Sequence, residues 1–133
     1  MNKTLLILAA VTVSRYAPCP AITPAELDRL IPALIQVESG GEYRAVGDHG
    51  KAVGILQIHA EYVQDVNRIA GTHYTLRDRL DRQKSIDMTR IYLAHYGKGK
   101  TIEQTARVHN GGPAGHKKQS TVKYWNKVRK ELK

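Results

Sequence analysis

Paired start and stop signals cut this chain into short helices and leave little freedom in its fold class. Thr23-Pro24-Ala25-Glu26 has the form of a capping box with proline at the first helical position. Leu27, Ile31, Leu34 and Glu38 follow at steps of four, three and four, and Ser39-Gly40-Gly41 ends the run. Pro32 lies inside that helix and is expected to kink or split it. A helix from Ala60 to Ala70 stops at Gly71, and a loop through Tyr74 follows. A further helix runs from about Arg82 to Tyr96 and closes at Gly97-Lys98-Gly99. Thr101 to Gln104 is a second capping box, and its helix ends before Asn110-Gly111-Gly112-Pro113. The last helix begins near Ser120, with Thr121, Tyr124, Trp125, Val128 and Leu132 on its apolar face. Only Glu42 to Ile58 breaks the helical pattern. Glycines at 47, 50 and 54 among Val and Ile predict tight turns with a short β-element or an irregular loop. The fold class is therefore mainly α, with a small β component (α+β).

At 133 residues the chain has room for one domain of ordinary size, and no repeat, linker or second domain interrupts it. One cysteine excludes an intramolecular disulfide and a cysteine-based zinc site, so packing must hold the fold. Residues 1–21 read differently from the rest. Lys3 precedes the apolar run Leu5 to Val13, which at nine residues is too short to span a bilayer and suits the core of a secretory signal. Small residues near Cys19-Pro20-Ala21 suit cleavage, leaving 22–133 as the exported domain. A lipid-modified Cys19 and a buried first element are the competing readings.

The net charge of +9 is unevenly placed. Lys3 and Arg15 belong to the leading segment. Ile22 to Ala106 balances eleven basic residues against eleven acidic ones, whereas Arg107 to Lys133 has eight basic residues and only Glu131 as an acid. Such an end attracts an anionic partner. Nucleic-acid phosphate is one candidate, an anionic cell wall another, and a merely solvated helix a third; the export segment argues against nucleic acid.

Glu38 continues an apolar stripe at the C-terminal end of its helix. If it faces the protein body, burial and the negative helix end both raise its pKa, as a general acid at neutral pH requires. If the helix frays there, Glu38 turns into solvent; the pattern leaves both open. Asp48, between Gly47 and His49-Gly50, is either a turn residue or a second carboxylate across a cleft. Glycoside hydrolysis commonly uses such a pair. His49, His59 and His73 lack metal-ligand spacing, so no metal is expected. Ser39 has no nucleophile-elbow context, no phosphate-binding glycine loop is present, and no cofactor is expected.

Two motifs, Glu38-Ser39-Gly40-Gly41 and Gly54-Ile55-Leu56-Gln57-Ile58, resemble the lysozyme and lytic transglycosylase superfamily. The run Arg107-Val108-His109-Asn110-Gly111-Gly112-Pro113-Ala114-Gly115, followed by Tyr124-Trp125-Asn126-Lys127-Val128, resembles the end of invertebrate-type lysozymes. These motifs reach from Glu38 to Val128 in the family's order. The resemblance implies a lysozyme-like fold with a cleft between helices and a short β-element. It also implies cleavage of the N-acetylmuramic acid to N-acetylglucosamine β-1,4 bond of peptidoglycan, by a chain expected to act as a monomer. Glu38 matches the family's acid and Asp48 falls near the second carboxylate. Gln57, His109, Asn110 and Gly111 are implied to line the cleft and bind sugar. Invertebrate-type lysozymes are rich in disulfides, whereas Gly41 and His116 stand where two of those cysteines are expected. Ala45 to Gln57 also resembles lytic transglycosylases, which need one Glu and no second acid, so hydrolase and transglycosylase both stay open.

Overall fold

A computed structural model describes residues 21–133. The expected export segment, residues 1–21, lies outside the described residues apart from Ala21. Five helices follow one another: α1 (Pro24–Ser39), α2 (Ala60–Ala70), α3 (Arg82–Tyr96), α4 (Ile102–Gly111) and α5 (Val122–Glu131). Between α1 and α2 lies a hairpin of β1 (Val46–Gly47) and β2 (Ala52–Val53), antiparallel, with Val46 opposite Val53 and Gly47 opposite Ala52. Single 3₁₀ turns occupy Asp48–Gly50, Leu76–Leu80, Gly115–Lys117 and Gln119–Thr121.

Local chemistry explains the helix bounds. The Thr23 hydroxyl accepts from the Glu26 amide while the Glu26 carboxylate accepts from the Thr23 amide, closing the capping box. Gly40, left-handed at φ 62°, ends α1 by donating to the carbonyls of Gln36 and Ile35. Thr101 and Gln104 form the same box at α4. Pro32 does not split α1, which is continuous from Pro24 to Ser39. The ring costs the helix one donor. Both Pro32 and Asp28, whose carbonyl would have received that bond, lie on the exposed face, so the unmade bond is not buried in the core.

α1 packs against α3, α4 and α5, and α2 packs against α3. Leu30 and Leu34 of α1, Met88 and Leu93 of α3, Val108 of α4 and Val128 of α5 are fully buried together. Ile55, Leu56 and Ile58 carry the hairpin's exit strand into the same core. The hairpin is fastened at both ends. The Ser39 hydroxyl donates to the Ile55 carbonyl at 2.8 Å, joining it to the end of α1. The Arg79 guanidinium donates to the carbonyls of Lys51 and Ile58, joining it to the turn before α3. Gly54, at φ 84°, is pressed against the Arg79 carbonyl so closely that a Cβ would collide with it.

Arg107 leaves the charged end of the chain to become structural. Its Nε donates to the Thr121 hydroxyl at 2.9 Å and its Nη2 to the Lys118 carbonyl at 3.0 Å, fixing the two turns that lead into α5. No helix among the described residues is long and apolar enough to cross a membrane.

Candidate active site

A cavity of about 570 Å³ opens between the hairpin, α2 and the end of α4. Glu38 reaches it from the last turn of α1, whose apolar stripe holds that turn against the core. Its side chain is only 17% exposed. Of the two placements open from the sequence, the inward one is realised. The Tyr124 hydroxyl of α5 donates to Glu38 Oε1 at 2.7 Å. Burial raises the Glu38 pKa to about 7, against the opposing effects of the Tyr124 hydrogen bond and the Lys127 charge. At neutral pH this carboxyl therefore holds a proton for a substantial part of the time, and it still lies on the wall of a cavity. With Oε1 engaged by Tyr124, the proton is directed to Oε2.

His109 Nε2 lies 3.6 Å from Glu38 Oε1, but the two do not form an ion pair. Burial lowers the His109 pKa to about 4, only partly countered by its hydrogen bond to Leu56, so the ring is neutral. Nε2 donates to the Leu56 carbonyl at 3.1 Å, and Nδ1 then accepts from the Tyr62 hydroxyl, also at 3.1 Å. Both ring nitrogens are thus engaged within the protein, and the side chain is 3% exposed. Tyr62 in turn stacks on Tyr92, with ring centroids 3.7 Å apart. A neutral imidazole between an aromatic pair and the hairpin gives Glu38 a buried neighbour without adding a charge beside it.

The other residues expected at the site are distributed as follows. Asp48 lines the cavity together with Glu38, and its Oδ2 lies 3.2 Å from His59 Nε2. Asp48 and His49 are both left-handed, at φ 47° and 53°, which non-glycine residues seldom adopt. Gln57 also lines the cavity, but its amide nitrogen donates to the carbonyls of Ala45 and Gly54, both at 3.0 Å. That pair of bonds holds Gln57 itself at φ 50° and braces the hairpin. Asn110 is exposed on the cavity wall. Gly111 is not on that wall: it faces Thr121 and Lys118, and a Cβ there would lie 2.6 Å from Thr121 Cγ2. It is glycine because α4 and the turn before α5 meet at that point. Gly112 and Pro113 line the cavity in its place.

The residues not foreseen as site components are Tyr124, Tyr62, Tyr92, His59 and, on the cavity side of α2, Glu61 and Asp65. Tyr124 was legible only as part of an apolar face. The signal available for it was chemical: a buried tyrosine hydroxyl needs a partner, and a Glu on an apolar stripe can supply one. The cationic end also lies closer to the acid than its sequence separation suggests. α5 supplies Tyr124, and the charge of Lys127 acts on Glu38.

The comparisons with known proteins agree with this geometry. Residues 21–132 match the family model described as the transglycosylase SLT domain. A lysozyme of Ostrea edulis is 28% identical over 97% of this chain and 95% of its own length. A lysozyme of Magallana gigas is 32% identical over 74% of each chain. A chain in the crystal structure of Aeromonas hydrophila PliI in complex with Meretrix lusoria lysozyme superposes with a TM-score of 0.64 at 26% identity, covering 84% of this chain and 91% of the other. A helix-terminal acid, a hairpin wall and a closing α4 in the expected order, matched by a family model over nearly the whole described region, make this chain a member of the transglycosylase SLT domain family, within the lysozyme-like superfamily.

Proposed function

We infer that this protein is a peptidoglycan glycosidase, a muramidase or lytic transglycosylase that cleaves the β-1,4 bond between N-acetylmuramic acid and N-acetylglucosamine. One observation carries the reading: Glu38 is a cavity-lining carboxyl whose pKa is raised to about 7 by burial and which is oriented by Tyr124. Glu38 Oε2 protonates the glycosidic oxygen as the bond to C1 breaks, leaving an oxocarbenium-like sugar and a Glu38 carboxylate. The carboxylate then takes a proton from the nucleophile. If the nucleophile is water, the product has a reducing end; if it is the sugar's own C6 hydroxyl, the product is a 1,6-anhydro ring.

Asp48 favours the hydrolytic branch, because it puts a second carboxylate on the same cavity to support the cationic centre. Asn110 is the sugar-binding amide, exposed on the cavity wall and without a side-chain hydrogen bond among the described residues, whereas Gln57 and His109 serve mainly to shape the wall. The export of residues 22–133, their action as a monomer and their retention on an anionic wall by the cations of α5 belong to the same reading. A non-catalytic wall-binding or nucleic-acid-binding module is disfavoured, since neither role calls for a buried acid on a cavity wall.

Glu38→Gln keeps the Tyr124 contact and removes the transferable proton. Turnover of purified peptidoglycan by this variant should fall by about two to four orders of magnitude with an unchanged circular dichroism spectrum. Wild-type-like turnover would overturn the assignment of the acid.

A further inference from the structure

His59 meets Asp48 from a different element, on the wall of the cavity that Glu38 also lines. Asp48 stands at the tip of the hairpin, where Gly47 pairs with Ala52 and the Lys51 amide donates to the Asp48 carbonyl. His59 is the first residue flanking α2, and its carbonyl receives the Val63 amide. Both backbones are therefore fixed before their side chains meet. The bridge between Val53 and Ile58 holds the two anchors at a constant spacing.

We propose that His59 is the positioning residue of Asp48. Its Nε2–H holds Asp48 Oδ2 and leaves Oδ1 as the oxygen free toward the cavity. An aspartate on a left-handed turn, with a side chain 53% exposed, would otherwise sample several rotamers in solvent. The pair has little to do with folding, because the imidazole is itself 41% exposed and ion pairs of that kind add little to stability. What it fixes is where the second carboxylate stands when the positive charge develops at C1. That position governs whether the oxocarbenium-like sugar is held for water or closes on its own C6 hydroxyl. The proposal rests on the two-carboxylate reading given above and adds to it the residue that positions the second carboxylate.

The test is the product distribution of purified peptidoglycan digested by wild type, His59→Ala, His59→Gln, Asp48→Asn and the double variant His59→Ala/Asp48→Asn, with reducing and 1,6-anhydro ends counted by mass spectrometry. His59→Ala should lower the formation of reducing ends on the order of ten- to a hundredfold and raise the anhydro fraction, without a shift in melting temperature. His59→Gln, which keeps an N–H at nearly the same place, should recover most of the wild-type ratio. The double variant should be no worse than Asp48→Asn alone, since both changes remove one function. A His59→Ala enzyme with wild-type rate and ratio, beside an impaired Asp48→Asn enzyme, would overturn the role of His59 and leave that of Asp48 standing. An unimpaired Asp48→Asn enzyme would overturn both.

Discussion

Burying a carboxyl on a cavity wall sets its protonation against its solvation, and at Glu38 burial moves that balance toward the proton. Its pKa moves from an ordinary 4.5 to about 7, so the native state binds this proton more tightly than the unfolded chain does. The stability it confers is complete below pH 4.5 and is lost as the pH rises through 7; at about 1.4 kcal/mol per pH unit, that interval is worth about 3 kcal/mol. His109 runs the other way. Its pKa falls from 6.5 to about 4, so its contribution is present above pH 6.5 and disappears as the pH drops toward 4. Between 4.5 and 6.5 the two slopes oppose each other. Glu38→Gln removes one of them. In urea unfolding at pH 5 and pH 8, the stability of this variant relative to wild type should rise toward pH 8, approaching the 3 kcal/mol above; a pH-independent difference would contradict the raised pKa. Tyr124→Phe tests the opposing hydrogen bond. That bond favours the carboxylate, so its loss should raise the Glu38 pKa further and move the alkaline limb of the activity profile to higher pH. A limb unmoved by this variant would mean that the hydroxyl does not act on the acid.

Helix bounds were readable because capping boxes and left-handed glycines are decided within four or five residues, as at Thr23, Gly40 and Thr101. What depends on distant contacts was not. Pro32 stays inside α1 because its side of the helix meets water, a fact of tertiary placement. Glu38 and Asp48 could be singled out by residue type and pattern, but the partners that orient them, Tyr124 and His59, come from other elements. Gly111 lay inside a site-like motif, yet its small size serves the packing of Thr121. Gly54 shows how one such contact positions an element. Its left-handed φ and its contact with the Arg79 carbonyl place the hairpin, and with it Asp48 and Gln57, against the turn before α3. Gly54→Ala would add backbone strain of about 1 to 3 kcal/mol and force the hairpin off Arg79. A variant that folds should show a lower melting temperature and a loss of turnover larger than its loss of folded population. An unchanged melting temperature would mean that the turn before α3 gives way at no cost.

Across the whole molecule, charge and chemistry are separated along the chain but adjoin in space. Lys123, Lys127 and Lys130 recur at four and three residues along α5, flanking the buried Tyr124 and Val128, and all three are exposed. Among the described residues none of them, nor Lys117, Arg129 or Lys133, forms an ion pair with a carboxylate. Like charges at that spacing weaken a helix by a few tenths of a kcal/mol each. A helix that keeps them without acidic partners is suited to an anionic surface outside the protein. Such attraction is screened by salt, whereas proton transfer from a buried Glu38 is not. Raising the salt from about 0.1 M to about 1 M shortens the screening length from roughly 10 Å to roughly 3 Å. Over that range, binding of the Glu38→Gln protein to sacculi that retain their anionic polymers should weaken severalfold. Wild-type turnover of short peptidoglycan glycan fragments freed of those polymers should change far less. Replacing Lys123, Arg129 and Lys130 together by Ala should reproduce the high-salt binding at low salt while leaving Lys127, which acts on Glu38, in place. Equal salt sensitivity of binding and of small-substrate turnover would instead place the ionic contact inside the cleft, and α5 would then be no more than a solvated face.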